Sequence, residues 1–378
     1  MKVEVFVQKL QELGIHTVTG VPDSTLKSFC DYICCEGRDV FEHHVVTENE
    51  GAAIGIAIGE YLSTENVACV YMQNSGLGNA VNPITSLANT DVYGIPMLLL
   101  IGWRGEPGTK DEPQHKFMGE ITTALLEILD INYAVIDAGT TEIDLEVFLK
   151  RAYADFAGNR QFALVVKKGA FEEGKPNVYK NDYHLEREKA IEEIVKWLQK
   201  EDLVVSTTGK ISRELYEKSN AILGGHAQAF LVVGGMGHAN MIAYQLAKRK
   251  KDQRIICLDG DGALLMHMGS LAVLGGNPAN NMVHICLNNE AHESVGGMPT
   301  GAVGISYSDI AKNCGYASVY HVANEEELHD ALTEIRALNK MTFLEIDVEI
   351  GSRPDLQRPK ETAEENKIGF MRYQKERK

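Results

Sequence analysis

Residues 255–262 read Ile255-Ile256-Cys257-Leu258-Asp259-Gly260-Asp261-Gly262, and residues 283–289 read Val283-His284-Ile285-Cys286-Leu287-Asn288-Asn289. Each begins as a short apolar run of strand type and ends on polar, turn-forming residues. Between them, Leu264, Leu265, Met268, Leu271 and Leu274 recur at helical spacing. Strand, helix, strand at this length is a parallel βαβ unit, and in such a unit both strand ends open onto the same sheet edge. Asp261 therefore arrives beside Asn288 and Asn289, which lie 27 and 28 positions further on. One carboxylate, one amide oxygen and a nearby backbone carbonyl suit a hard, oxygen-seeking cation whose remaining positions phosphate oxygens fill. Gly260 and Gly262 let the backbone approach a diphosphate at the start of the helix. Spacing alone leaves both asparagines open as the ligand. An EF-hand is excluded because the other acidic ligands of its loop are missing. Thr208-Gly209-Lys210 is followed by Ile211 and lacks the earlier glycine of a P-loop, and Gly234-Gly235-Met236-Gly237 lacks the third glycine of a dinucleotide turn.

The same rhythm extends in both directions and predicts an α/β protein with two modules, each a mostly parallel sheet flanked by helices. Strands are expected at 40–46, 67–72, 97–101, 133–136 and 163–166 in the first half, and at 203–206, 230–233, 255–258, 283–287 and 343–347 in the second. Helical spacing marks 51–62, 79–87 and 186–199. Polar residues without periodicity place a linker at 169–185. The expected domains are thus 1–168 and 186–350, followed by a basic, irregular tail at 351–378. A chain of 378 residues suits two domains of this size.

A net charge of −16 lacks the basic footprint of a nucleic-acid binder and disfavours an anionic membrane surface. Seven cysteines, an odd number without C-x-x-C spacing, point to reduced thiols rather than a disulfide frame or zinc site. No long apolar h-region follows Met1, and a cytoplasmic location is expected. The loop 102–116 mixes glycines with both signs of charge and follows a strand, which is where binding residues concentrate.

With Gly260-Asp261-Gly262 and Asn288-Asn289 as its signature, the chain resembles the thiamine-diphosphate-dependent decarboxylases, and among them the phosphonopyruvate decarboxylases. The resemblance rests also on Gly20-Val21-Pro22-Asp23-Ser24, Asn49-Glu50-Gly51, Asp111-Glu112-Pro113-Gln114-His115, residues 207–215, Gly237-His238-Ala239, residues 291–297 and residues 351–356. It implies a pyrimidine-binding domain followed by a diphosphate-binding domain, with thiamine diphosphate and Mg2+ as cofactors. It also implies a homo-oligomer with active sites between subunits. The implied substrate is 3-phosphonopyruvate, a small anionic 2-keto acid; sulfopyruvate is the alternative, and a carboligase using the same cofactor is the other. A cofactor-binding subunit without activity is disfavoured by the joint presence of Glu50 and Asp261.

The resemblance assigns Glu50 as the carboxyl that exchanges a proton with the cofactor's pyrimidine, with Glu48 as competitor, and places Asn79 beside the cofactor. Met236 would support the bent cofactor, and the Gly234 carbonyl would accept from its amino group. Asn289 is favoured over Asn288 as metal ligand, with Ala291 offering its backbone carbonyl. His115 is expected to handle protons. Arg104, Lys110, Lys116, His292, Ser294, Arg353 and Arg358 are candidates for the substrate anion.

Overall fold

The computed structural model describes residues 1–35 and 37–376. The chain divides into two compact units, Met1–Tyr179 with His292–Gly301, and Lys180–Ala291 with Ala302–Lys378. The first contains β1 (Thr17–Gly20), β2 (His43–Val46), β3 (Cys69–Gln73), β4 (Leu98–Gly102), β5 (Asn132–Ile136) and β6 (Phe162–Val166). The second contains β7 (Leu203–Ser206), β8 (Ala229–Leu231), β9 (Ile255–Gly260), β10 (Met282–Asn288), β11 (Ser318–Val322) and β12 (Thr342–Asp347). Both sheets are six-stranded and parallel throughout, in the orders β2-β1-β3-β4-β6-β5 and β11-β12-β10-β9-β7-β8.

Helices cover both faces of each sheet, so the central strands are apolar without alternation. All five residues of β4 and all seven of β10 are buried, whereas the edge strand β2 alternates exposed and half-buried positions. Because the strands are parallel, every C-terminal end within a sheet opens on the same edge. In the first unit that edge receives the segments after Gly20, Val46, Gln73 and Gly102. In the second it receives those after Leu231, Gly260, Asn288, Val322 and Asp347.

Several expectations are corrected. β1 and β11 fall outside the expected strands. β1 is Thr-Val-Thr-Gly, and two buried threonines hide a fully buried strand from a search for apolar runs. The helix read through Leu264 and Leu274 is two pieces, Asp261–Met266 and Ser270–Gly276, interrupted at His267, whose φ of −136° leaves the helical region. The tail is irregular only through residue 362. Thr362 and Glu365 form a capping box that starts a helix over Ala363–Lys375. That helix buries Phe370, and its Asn366 side chain accepts from the Leu231 amide and donates to the Ala229 carbonyl, both at 3.0 Å, covering the edge strand β8. The tail is therefore part of the second unit, except that residues 377–378 lie outside the described residues. Segment 292–301, read as part of the second domain, belongs to the first unit, where Met298 joins the core around Phe29 and Tyr71. Of the linker, 169–185, Ala170 and Phe171 are buried in that same core. No helix among the described residues is long and apolar enough to cross a membrane, and all seven cysteines are free thiols.

Candidate active site residues in each unit

In the first unit, Asn49 caps the helix Glu50–Thr64 by accepting from the Ala52 amide at 3.0 Å. This fixes Glu50 as the first helical residue, 5 % exposed, while Glu48 is exposed. The Glu50 carboxyl accepts from Asn79 Nδ2 at 2.7 Å. It lies against Gly76, where any Cβ would collide with the Glu50 side chain. Burial and a neutral amide donor thus single out Glu50 from its neighbour and bring Asn79 to it.

The loop after β4 is organised by Asp111. Its carboxylate takes the Arg104 guanidinium through Nε at 2.8 Å and through Nη2, and it accepts from the Gly105 amide at 2.8 Å. The hydrogen bond from Arg104 holds the Asp111 carboxyl well below the usual carboxylate range. Arg104 Nη1 donates to Ser24 Oγ at 2.8 Å, and Asn74 holds the Arg104 backbone from both sides. Arg104 is consequently an anchor of the loop with its charge matched, not the open clamp read from sequence. Lys110 and Lys116 are exposed. His115 is half-buried with Nδ1 enclosed and unpartnered, and burial, reinforced by the nearby Arg104 charge, lowers its pKa.

Asp23, in the Gly20–Ser24 stretch, has no role legible from the sequence. Asp23 is fully buried and accepts from Gln73 Nε2 at 2.6 Å, the Thr25 amide at 2.8 Å and the Leu26 amide at 3.2 Å. A Cβ on Gly102 would strike its carboxylate, so Gly102 is what admits it. Also in this unit, burial pushes the His292 imidazole down to about 4, and Ser294 is exposed.

In the second unit, Asp261 opens the helix Asp261–Met266 at the end of β9 and is 4 % exposed. Its carboxylate accepts from the amides of Gly262 and Asn289, yet Oδ2 has no partner, and burial pushes its pKa up to about 7. β9 and β10 are paired in register through Gly260 and Leu287, which sets the asparagines beside it. The two differ in what they do. Asn288 accepts from the Glu290 amide and donates to Glu345 Oε1, each at 3.2 Å, and so holds the turn. Asn289 Oδ1 accepts from the Ala291 amide at 3.1 Å, and its carbonyl accepts from Asn181 at 2.9 Å. A buried carboxylate with an orphaned oxygen fits a cation-binding role, since such a group otherwise costs several kcal/mol or stays protonated.

Met236 is half-buried in the turn that follows β8, and Gly234 is partly exposed beside it. Arg353, a candidate for the substrate anion, is instead surrounded by carboxylates: Nε lies 2.9 Å from both oxygens of Glu188, Nη1 lies 3.2 Å from Asp355, and Nη2 meets Glu217. Its charge is neutralised within the unit. Arg358 is exposed.

The sequence matches two family models. Residues 2–126 match the thiamine pyrophosphate enzyme N-terminal TPP binding domain, and residues 208–346 match the C-terminal TPP binding domain. The chain is 33% identical to a phosphonopyruvate decarboxylase of Streptomyces viridochromogenes, covering 95% of this chain and 91% of that protein. It is also 33% identical to one of Streptomyces hygroscopicus, covering 93% and 88%. A sulfopyruvate decarboxylase of Methanosarcina acetivorans is 25% identical, covering 92% of each chain. Two matched cofactor-binding domains, near-complete coverage and a buried glutamate and aspartate at two strand ends place this chain in the thiamine pyrophosphate enzymes, in the family of the phosphonopyruvate decarboxylases.

Proposed function

We propose that this protein converts 3-phosphonopyruvate to phosphonoacetaldehyde and carbon dioxide, with thiamine diphosphate and Mg2+ as cofactors. The observation that carries the substrate is the 33% identity, over nearly the whole chain, to phosphonopyruvate decarboxylases of two organisms, against 25% to the sulfopyruvate enzyme.

The residues divide the work. Asp261, the Asn289 side chain and the Ala291 carbonyl would hold Mg2+, and the orphaned Asp261 Oδ2 supports this role. Held there, the ion would neutralise the diphosphate, while Asn288 keeps its amide on Glu345 and shapes the turn. Gly260 and Gly262 would leave room for the diphosphate, Met236 would support the cofactor, and the Gly234 carbonyl would accept from its amino group. Glu50, kept in place by Asn79, is the carboxyl that would exchange a proton with the pyrimidine ring. When bound, the cofactor supplies the electron sink that lets the substrate carboxylate depart as carbon dioxide. A proton must then reach the carbon that lost it. His115, with its lowered pKa, is neutral at pH 7 and can relay protons. Lys110, on the loop after β4, and Lys116, which lies with His115 in the helix Pro113–Ile128 rather than in a loop running to 116, are the cations best placed in sequence to meet the phosphonate, with His292 and Ser294 as further substrate-side candidates. A homo-oligomer with active sites between subunits is the form expected of the working enzyme.

Supplying phosphonopyruvate and sulfopyruvate separately tests the assignment. Phosphorus NMR should show phosphonoacetaldehyde forming in step with carbon dioxide. Turnover of sulfopyruvate alone would reassign the substrate, and condensed products without stoichiometric free aldehyde would make the protein a carboligase.

A further inference from the structure

At the C-terminal edge of the second sheet, next to the Asn288 turn, three side chains from β11 and β12 converge. His321 stands opposite Glu345 in the strand register, and His321 Nε2 lies 2.8 Å from Asp347 Oδ2. One ligating atom from each of His321, Glu345 and Asp347 falls within 4.8 Å of the other two. An ion bound at 2.0–2.2 Å to each ligand separates neighbouring ligand atoms by roughly 3–4 Å, so small side-chain shifts suffice.

Two features go beyond an ordinary ion pair. Asp347 is 6 % exposed, and its second oxygen, Oδ1, is buried without a partner although the first already meets the imidazole. A simple pair would leave that oxygen unanswered, whereas a shared cation would satisfy it. Glu345, 1 % exposed, is held rigid by neutral donors: the Ser308 amide at 2.8 Å, the Tyr307 amide at 3.4 Å and Asn288 Nδ2 at 3.2 Å. That is how an outer shell orients a ligating carboxylate. The His321 side chain is 49% exposed, which gives an ion a route in from solvent.

We propose that His321, Glu345 and Asp347 form a second cation site, separate from the cofactor's metal, that takes a first-row transition ion such as Zn2+. One imidazole and two carboxylates suit such ions, while Mg2+ prefers oxygen alone. Because Glu345 also holds the Asn288 amide, an ion seated there stiffens the turn that carries Asn289.

The test uses the full-length enzyme saturated with thiamine diphosphate and Mg2+, so that the cofactor site is filled, and titrates Zn2+ by calorimetry. One saturable equivalent per chain is expected. His321→Ala, in a half-exposed edge-strand position, should weaken it more than about tenfold, since even outer-shell changes cost that much. Asp347→Asn should do the same, and Co2+ should give a visible absorption band that His321→Ala abolishes. Absence of saturable Zn2+ binding to the parent, or unchanged binding by a folded His321→Ala protein, overturns the proposal.

Discussion

Glu50 and Asp261 stand at similar local positions in the two units, although one follows the edge strand β2 and the other the interior strand β9. Each is the first residue of a helix that follows a parallel strand, and each is about equally buried, at 5 % and 4 % exposure. Their surroundings differ in one respect. Glu50 receives a side-chain amide from Asn79. Among the described residues Asp261 receives only backbone amides, and one of its oxygens has no partner. A neutral donor steadies a carboxyl without fixing its charge, which suits a group that must gain and lose a proton. A buried carboxylate left short of positive charge is suited to a cation. The same local architecture would thus support two chemistries, separated by what the surroundings supply.

The sharpest way to break this comparison is Glu50→Gln. Glutamine keeps the size and the contact with Asn79 but cannot exchange the proton, so turnover should fall about 10²–10⁴-fold. Cofactor affinity by calorimetry should stay near that of the parent. A loss below tenfold, or a larger one from Glu48→Gln, would move the role away from Glu50.

Second in size is a linkage effect at Asp261. Its folded pKa of about 7 lies above the ordinary value of 3.8. Between these pH values the metal-free folded protein binds more protons than the unfolded chain, so the Asp261 contribution to stability falls as pH rises, until it levels off above about 7. Asp261→Asn removes this dependence. Denaturant titrations in chelator should show the variant gaining on the parent by a few kcal/mol between pH 4 and 8. A difference that does not change with pH would mean that the carboxylate is compensated.

The third effect is smaller. Asn79→Ala deletes the one side-chain donor seen on Glu50, a contact worth about 1.5–3 kcal/mol to a charged group and so roughly ten- to a hundredfold in turnover. Recovery with Asn79→Gln or Asn79→Ser would tie the loss to the hydrogen bond; a loss confined to thermal stability would make Asn79 merely structural.

The smallest separates two cations of one loop. Arg104 is committed to Asp111, so Arg104→Ala should disturb the loop and damage phosphonopyruvate and pyruvate turnover alike. Lys110→Ala should raise the Michaelis constant for phosphonopyruvate only, about two- to fivefold as expected for an exposed charge. The reverse pattern would restore Arg104 as the head-group clamp.

The sheets were legible wherever strands are continuous apolar runs, as in β4, β6, β9 and β10, because burial on both faces writes itself into composition. β1 was not, since its threonines are buried beside helices rather than exposed. The tail helix was missed because its apolar contacts are few: only Asn366 and Phe370 are buried, and one of the two is polar. The positions of Asp261 and Glu50 at strand ends followed from spacing and motif. The commitment of Arg104 to Asp111 and of Arg353 to Glu188 and Glu217 did not, because a charge's partner lies in tertiary structure. The division of labour between Asn288 and Asn289 likewise depended on Glu345, 57 residues away.

In the proposed function the unpartnered oxygen of Asp261 would receive the ion that anchors the diphosphate. Calorimetric titration of Asp261→Ala with thiamine diphosphate in the presence of Mg2+ tests it most directly. The account predicts that cofactor binding weakens at least about a hundredfold, since the one charged protein ligand is gone, while the variant stays folded and metal-free stability does not fall at pH 8. Cofactor affinity equal to that of the parent would contradict it.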